Sequence, residues 1–283
     1  MTIACALSLI DNPNLNKLAR KYISWLVSGP FDIGGTTFRA LGCHNVCQWK
    51  PKIKEQGIGK TVIECAKSKN MKSISNGCLM RATSLAIWGH KLPIEQLKEI
   101  SYLETSLTNP NPLALEAVFC YRLAIVHLLN NLGDYLGAFQ KAFEWAKANA
   151  SVEVVEWLQK AQNREHVPVY PDGGHLKIGL IEAFIGILNR TEYYEAVKEI
   201  ISKGGDTDTN GMIVGALIGA THGTSAIPEH MKRMVLNCHT NQKGSQIPRP
   251  DWLLAHQVPS LVTQLLDSAP NTLDMQLFLS NLE

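Results

Sequence analysis

A chain of 283 residues with 45% apolar side chains can bury a sizeable core, which excludes disorder. Lys and Arg number 27 against 25 Asp and Glu, so a net charge of +2 gives no general attraction to nucleic acid or an anionic membrane. The early apolar run from Ile3 to Ile10 is far shorter than a membrane span and has no basic residues ahead of it, unlike a secretory signal. Seven scattered cysteines read as reduced thiols rather than a disulfide framework, and the expectation is a soluble protein of the cytoplasm.

In chain order, Leu15, Leu18, Ala19, Tyr22, Ile23 and Leu26 step by three and four and predict a helix that ends at Gly29-Pro30. The stretches 29–48 and 50–79, rich in Gly, Pro and small polar residues, read as irregular connections. Pro93 opens a helix with Ile94, Leu97 and Ile100 inward, and a long helix follows Pro112. Asp134 and Ser151 read as caps of the next two. Helical patterns recur near 175–189, 191–203 and 209–223, and across 251–267 with a kink at Pro259. No long alternating run argues for a sheet, so the fold class is all-α, in one domain spanning 1–283.

Several motifs carry little. Gly57-Ile58-Gly59-Lys60-Thr61 has the tail of a phosphate-binding loop but Lys54 where its first glycine belongs, and reads as a mobile surface turn. Cys43, His44 and Cys47 lack a second pair to complete a zinc site and read as ordinary thiols and an ordinary His. The basic residues Lys232, Arg233, Lys243 and Arg249 have no interleaved aromatics and read as a solvated face.

The stretch Lys203-Gly204-Gly205-Asp206-Thr207-Asp208-Thr209-Asn210 differs. Two glycines permit a tight turn, and alternating carboxylates and hydroxyls then lead into an apolar helix. Asp206 and Asp208 converge only if the turn is irregular or lies at the helix entrance, where hard oxygen donors suit Mg²⁺ or Mn²⁺. The same residues also read as caps, but one cap serves one helix, so the surplus calls for another reason. Gly211, Gly215, Gly219 and Gly223 recur at every fourth position, a bare stripe for close packing, which places the turn in the interior. Asn76-Gly77 signals a second tight turn, and 28–37 gathers small residues around Asp32.

Taken in this order, the motifs resemble the ADP-ribosylglycohydrolase family, the group that includes the dinitrogenase-reductase-activating glycohydrolases. The resemblance rests on Trp25 to Leu41, Asn76 to Ala82, Ser106-Leu107-Thr108 and, above all, Gly204 to Gly223. It implies an all-α orthogonal multi-helix bundle whose cleft holds two Mg²⁺ ions and which removes ADP-ribose from a modified protein or an ADP-ribose-containing small molecule. Asp206, Asp208 and Thr209 match the family's metal ligands; Asn76, Gly77, Cys78 and Met80 match a substrate-side loop, and Asp32 and Gly34 a second one, with Gly205 beside them. Asp208 and Asp32 are the candidate catalytic carboxylates. Asn109 stands where many relatives have a substrate-facing histidine, and it cannot titrate near neutrality. Family members also carry a Thr-Asp-Asp-Thr metal-binding run ahead of the helix that here starts near Thr2, so the expectation is that this half of the site is absent from these 283 residues. Two dications bring +4 against the −2 of Asp206 and Asp208. The rival expectation is a catalytically silent member, an ADP-ribose binder or a crystallin-like structural protein.

Overall fold

The computed structural model describes residues 1–241 and 246–280, so Lys243 lies outside the described residues. In chain order the helices are α1 (Thr2–Leu9), α2 (Leu15–Val27), α3 (Gly35–Leu41), α4 (Lys50–Gln56), α5 (Ile58–Asn70), α6 (Thr83–Trp88), α7 (Ile94–Ser106) and α8 (Pro112–Asn130). They continue with α9 (Tyr135–Asn149), α10 (Val152–Asn163), α11 (Leu176–Leu188), α12 (Tyr193–Ser202), α13 (Thr207–His222), α14 (Glu229–Leu236), α15 (Val258–Asp267) and α16 (Met275–Phe278). Among the described residues there is no strand, only an isolated bridge between Ser75 and His175, and the fold is all-α as expected.

The helix starts follow their local chemistry. Asn14 caps α2 by accepting the Lys17 N–H at 2.8 Å, and α2 buries Leu15, Leu18, Ala19, Tyr22 and Leu26. The Asp134 carboxylate accepts the Gly137 N–H at 3.0 Å and caps α9. Ser151 occupies the cap position of α10 without a side-chain bond. Pro259 lies in the first turn of α15, where a missing N–H costs nothing, so it starts that helix rather than kinking it, and short 3₁₀ turns occupy 251–257.

Two expectations fail between α3 and α5. The stretches 29–48 and 50–79 are largely helical, and Gly57 to Thr61 is the start of α5 rather than a mobile surface turn. Gly57 takes a positive φ of 85° at the cap position, and Ile58, Gly59 and Thr61 are buried. A Cβ on Gly59 would lie 2.6 Å from Leu15 Cγ, and the Gly59 N–H donates to Asn16 Oδ1 at 2.8 Å. Packing on α2 therefore supplies the cap and burial that this glycine-rich segment does not signal locally.

Contacts gather the chain into two compact units, each discontinuous in sequence. The first comprises Met1–Ser73, Ile87–Asn111 and Glu229–Glu283. Within it α2 packs on α1 and α5, and the Tyr22 hydroxyl donates to the buried Glu104 carboxylate of α7. Of the late basic residues, Lys232 forms a surface pair with Glu229 at 2.8 Å and Arg233 is exposed, whereas Arg249 donates to the Ser28 carbonyl at 3.1 Å.

The second unit comprises Ile74–Ala86 and Pro112–Pro228. Its centre is α11, apolar except for Lys177 and Glu182 and packed among α8, α9, α10 and α13. The helix α8 is long and apolar enough to cross a membrane, but its apolar residues are mostly buried against these neighbours. Tyr121 of α8 donates to the Ile213 carbonyl at 2.7 Å, and burial pushes its phenol well above the ordinary range. The glycine stripe of α13 receives α12: Cβ atoms on Gly215 and Gly219 would lie 3.1 Å from Tyr193 Oη and 3.7 Å from Tyr193 Cε2.

Candidate functional site

The acidic turn links α12 to α13 in the second unit. Gly204 and Gly205 adopt φ of 78° and 71°, which an L side chain rarely takes. Gly205 lies backbone against backbone on Gly173: a Cβ on Gly173 would sit 2.7 Å from Gly205 Cα and 2.9 Å from Asp206 N. Asp206 occupies the cap position of α13, yet its side chain makes no capping bond. Its Oδ2 instead accepts the Asn76 amide N–H at 2.9 Å.

Asn76 is almost wholly buried and ties three segments together. Its amide also donates to Asn210 Oδ1 at 3.1 Å, its backbone N–H donates to the Gly174 carbonyl at 2.9 Å, and the Asn210 amide donates to the Gly173 carbonyl at 3.0 Å. The structure thus joins Asn76 to Asp206 and adds Gly173, Gly174 and Asn210, to which the sequence reading gave no role. Their available signal was the second Gly-Gly pair, since close backbone approach needs glycine on both sides.

Gly77 and Met80 are half-buried, and Cys78 is fully buried with its thiol directed to the Ser75 carbonyl at 3.6 Å. Thr209 is half-buried, whereas Gly205 and Asp208 are exposed. The turn is therefore anchored on the interior but open on its acidic side, not enclosed as the glycine stripe suggested, because that stripe faces α12 rather than covering the turn.

Asp32, Gly34 and Asn109 belong to the first unit. Asp32 is exposed and accepts the Ile33 N–H at 2.8 Å; Gly34 stands at the cap position of α3 with open space around it. Asn109 is fully buried and accepts the Thr108 hydroxyl at 2.7 Å. The buried Asn70 holds this region: its amide donates to the Thr36 and Thr108 carbonyls at 2.8 and 3.0 Å and its oxygen accepts from Arg39 Nε at 2.9 Å.

The donors of Asp206, Asp208 and Thr209 are all hard oxygens, which fits Mg²⁺ or Mn²⁺ and not a thiophilic ion. Their charge of −2 balances one dication and does not fit two. Among the described residues, the metal-capable cluster of three His, Cys, Asp or Glu side chains is a different one, His166, Glu182 and Glu199. The Lys203 ammonium already lies among those three, donating to Glu182 and lying 2.7 Å from His166 Nδ1, so that cluster is a lysine socket. Cys43, His44 and Cys47 form no metal group there; Cys43 is buried, Cys47 exposed, and His44 bonds to the Leu41 carbonyl.

His175 borders the site and caps α11 with Nδ1, which accepts the Lys177 N–H at 3.1 Å. Burial holds its imidazole below the ordinary range; Lys177 acts the same way, and Asp172 opposes both. Protonation would also remove the capping lone pair. A depressed pKa means that the unfolded chain takes up the proton first, so stability is full above about pH 6.5 and falls as pH drops below it. The Tm of the native chain is expected to fall more steeply from pH 7.5 to 5.5 than that of His175→Asn, which keeps a capping acceptor but cannot titrate. Parallel Tm curves would refute the assignment.

A family model described as ADP-ribosylglycohydrolase matches residues 1–268. The putative ADP-ribosyl glycohydrolase L543 of Acanthamoeba polyphaga mimivirus is 27% identical over 249 residues, covering 82% of this chain and 71% of that protein. Among solved structures, an ADP-ribosylglycohydrolase-related protein complex matches with a TM-score of 0.69 at 18% identity, over 95% of this chain and 80% of that one. At that identity the likeness shows a shared fold.

Proposed function

Because the chain belongs to the ADP-ribosylglycohydrolase family, we propose that it hydrolyses the bond joining ADP-ribose to a modified protein side chain or to a small molecule, with Asp206, Asp208 and Thr209 holding Mg²⁺ or Mn²⁺. What supports this reading is the 2.9 Å bond from Asn76 to Asp206, which unites two of the four motifs that carry the family resemblance within one unit. A hard dication, when bound, supplies Lewis acidity toward sugar hydroxyls and lowers the pKa of water. The chain's own residues supply position. Asn76 spends one amide proton on Asp206 and the other on Asn210, which fixes the carboxylate's direction. Asp208, in the first turn of α13, adds a second carboxylate that also complements the helix dipole. All seven cysteines are free, in keeping with a reducing intracellular setting.

The test is incubation of the 283-residue chain with ADP-ribosylated protein and Mg²⁺ or Mn²⁺, with free ADP-ribose measured by chromatography. Release that stops on chelation is the expected result. Binding of ADP-ribose without release, in either cation, would instead identify a catalytically silent binder.

A further inference from the structure

The lysine that precedes the acidic turn is held unusually firmly for a residue at a helix end. Lys203 follows α12, and its Nζ donates to Glu182 Oε2 at 2.5 Å, lies 2.7 Å from His166 Nδ1 and pairs with Glu199 Oε1 at 3.5 Å. Glu182 is buried in α11, with 5% of its side chain exposed, so its charge is tolerable only with a partner. His166 Nδ1 lies 2.9 Å from the same carboxylate oxygen and closes the socket.

We infer that Lys203 is a positioning residue: Glu182, with Glu199 and His166, clamps it so that the Gly204-Gly205-Asp206 turn keeps one conformation and Asp206 stays free of a lysine partner. The two glycines after Lys203 have positive φ and great freedom when unrestrained, so the turn needs fixing at both ends. Asn76 fixes the Asp206 end, and the Lys203 clamp fixes the other. The clamp has an electrostatic consequence as well. An unclamped ammonium three residues before Asp206 would be drawn to that carboxylate and compete with a dication for it, whereas here the buried Glu182 carboxylate neutralises it and Glu199 holds it from the other side.

The inference rests on the metal reading of Asp206 and Asp208 only in its second measurement. The first is amide hydrogen exchange of the full chain in native, Lys203→Met, Glu182→Gln and Lys203→Arg forms. Exchange at Gly204 and Thr207, whose N–H groups donate to the Ile201 and Gly205 carbonyls at 3.1 Å, is expected to rise about tenfold or more in Lys203→Met and Glu182→Gln, with the later turns of α13 unchanged. Lys203→Arg, which keeps charge and donors, is expected to restore most of the protection. Unchanged exchange at the turn, a rise spread evenly along α13, or a Lys203→Arg chain as loose as Lys203→Met would each overturn the clamp. The second measurement is Mn²⁺ binding, expected to weaken about tenfold in Lys203→Met, the scale of lost support behind metal ligands. A native chain that binds no Mn²⁺ sinks the metal reading alone, and the exchange data still decide the clamp. A native chain that binds Mn²⁺ while Lys203→Met binds it equally well overturns the clamp's role at the acidic turn.

Discussion

Asp208→Ala is expected to lower ADP-ribose release about a thousandfold while leaving the fold intact. The side chain is exposed in the first turn of α13, so its removal costs stability only through the helix dipole, about 0.3–1 kcal/mol. Its expected role is different in scale: a metal ligand supports charge stabilisation of several kcal/mol, and each 1.36 kcal/mol is about a factor of ten in rate. Asp206→Ala is a less clean test, because it also strips a partner from the buried Asn76 amide. Two assays check the prediction together. Release of ADP-ribose should collapse, and the rise in Tm that Mn²⁺ confers on the native chain should vanish with it, since a ligand stabilises only a state that binds it. An Asp208→Ala chain that releases ADP-ribose at the native rate would remove Asp208 from the machinery.

Gly173→Ala is expected to damage the site from behind. The new Cβ would meet Gly205 Cα at 2.7 Å, Asp206 N at 2.9 Å and Gly205 C at 3.1 Å, all backbone atoms that no rotamer change can move aside. The acidic turn must shift, and overpacking of this kind costs about 1–3 kcal/mol. Displacing catalytic groups by as little as an ångström costs about a hundredfold in rate, so turnover is expected to fall by roughly that factor. Gly42→Ala is the control: its φ is −65° and its Cβ meets nothing within 4 Å, so stability should hold or rise slightly. Equal Tm and turnover in Gly173→Ala and the native chain would show that the backbone contact does not hold the turn.

Much of this was legible in the chain. The spacing of Leu15 to Leu26, the cap at Asp134 and Pro112 opening α8 are local signals acting within a turn or two of helix, and the helices formed where they pointed. The acidic turn was legible for the same reason, because two glycines followed by alternating carboxylates and hydroxyls are distinctive at short range. Helix α5 was not, since Gly57 and Gly59 signal a break that only burial against Leu15 and a cap from Asn16 outweigh.

The sequence by itself determined the all-α class, the family and the hard-oxygen character of the turn, because periodicity and ligand chemistry belong to neighbouring residues. Tertiary structure alone decided that Asn76 grips Asp206 across a separation of 130 residues, that Gly173 backs Gly205, and that Lys203 sits in a socket of Glu182, Glu199 and His166. Such contacts depend on which distant segments the packed helices bring within hydrogen-bond reach, and no local pattern encodes that meeting.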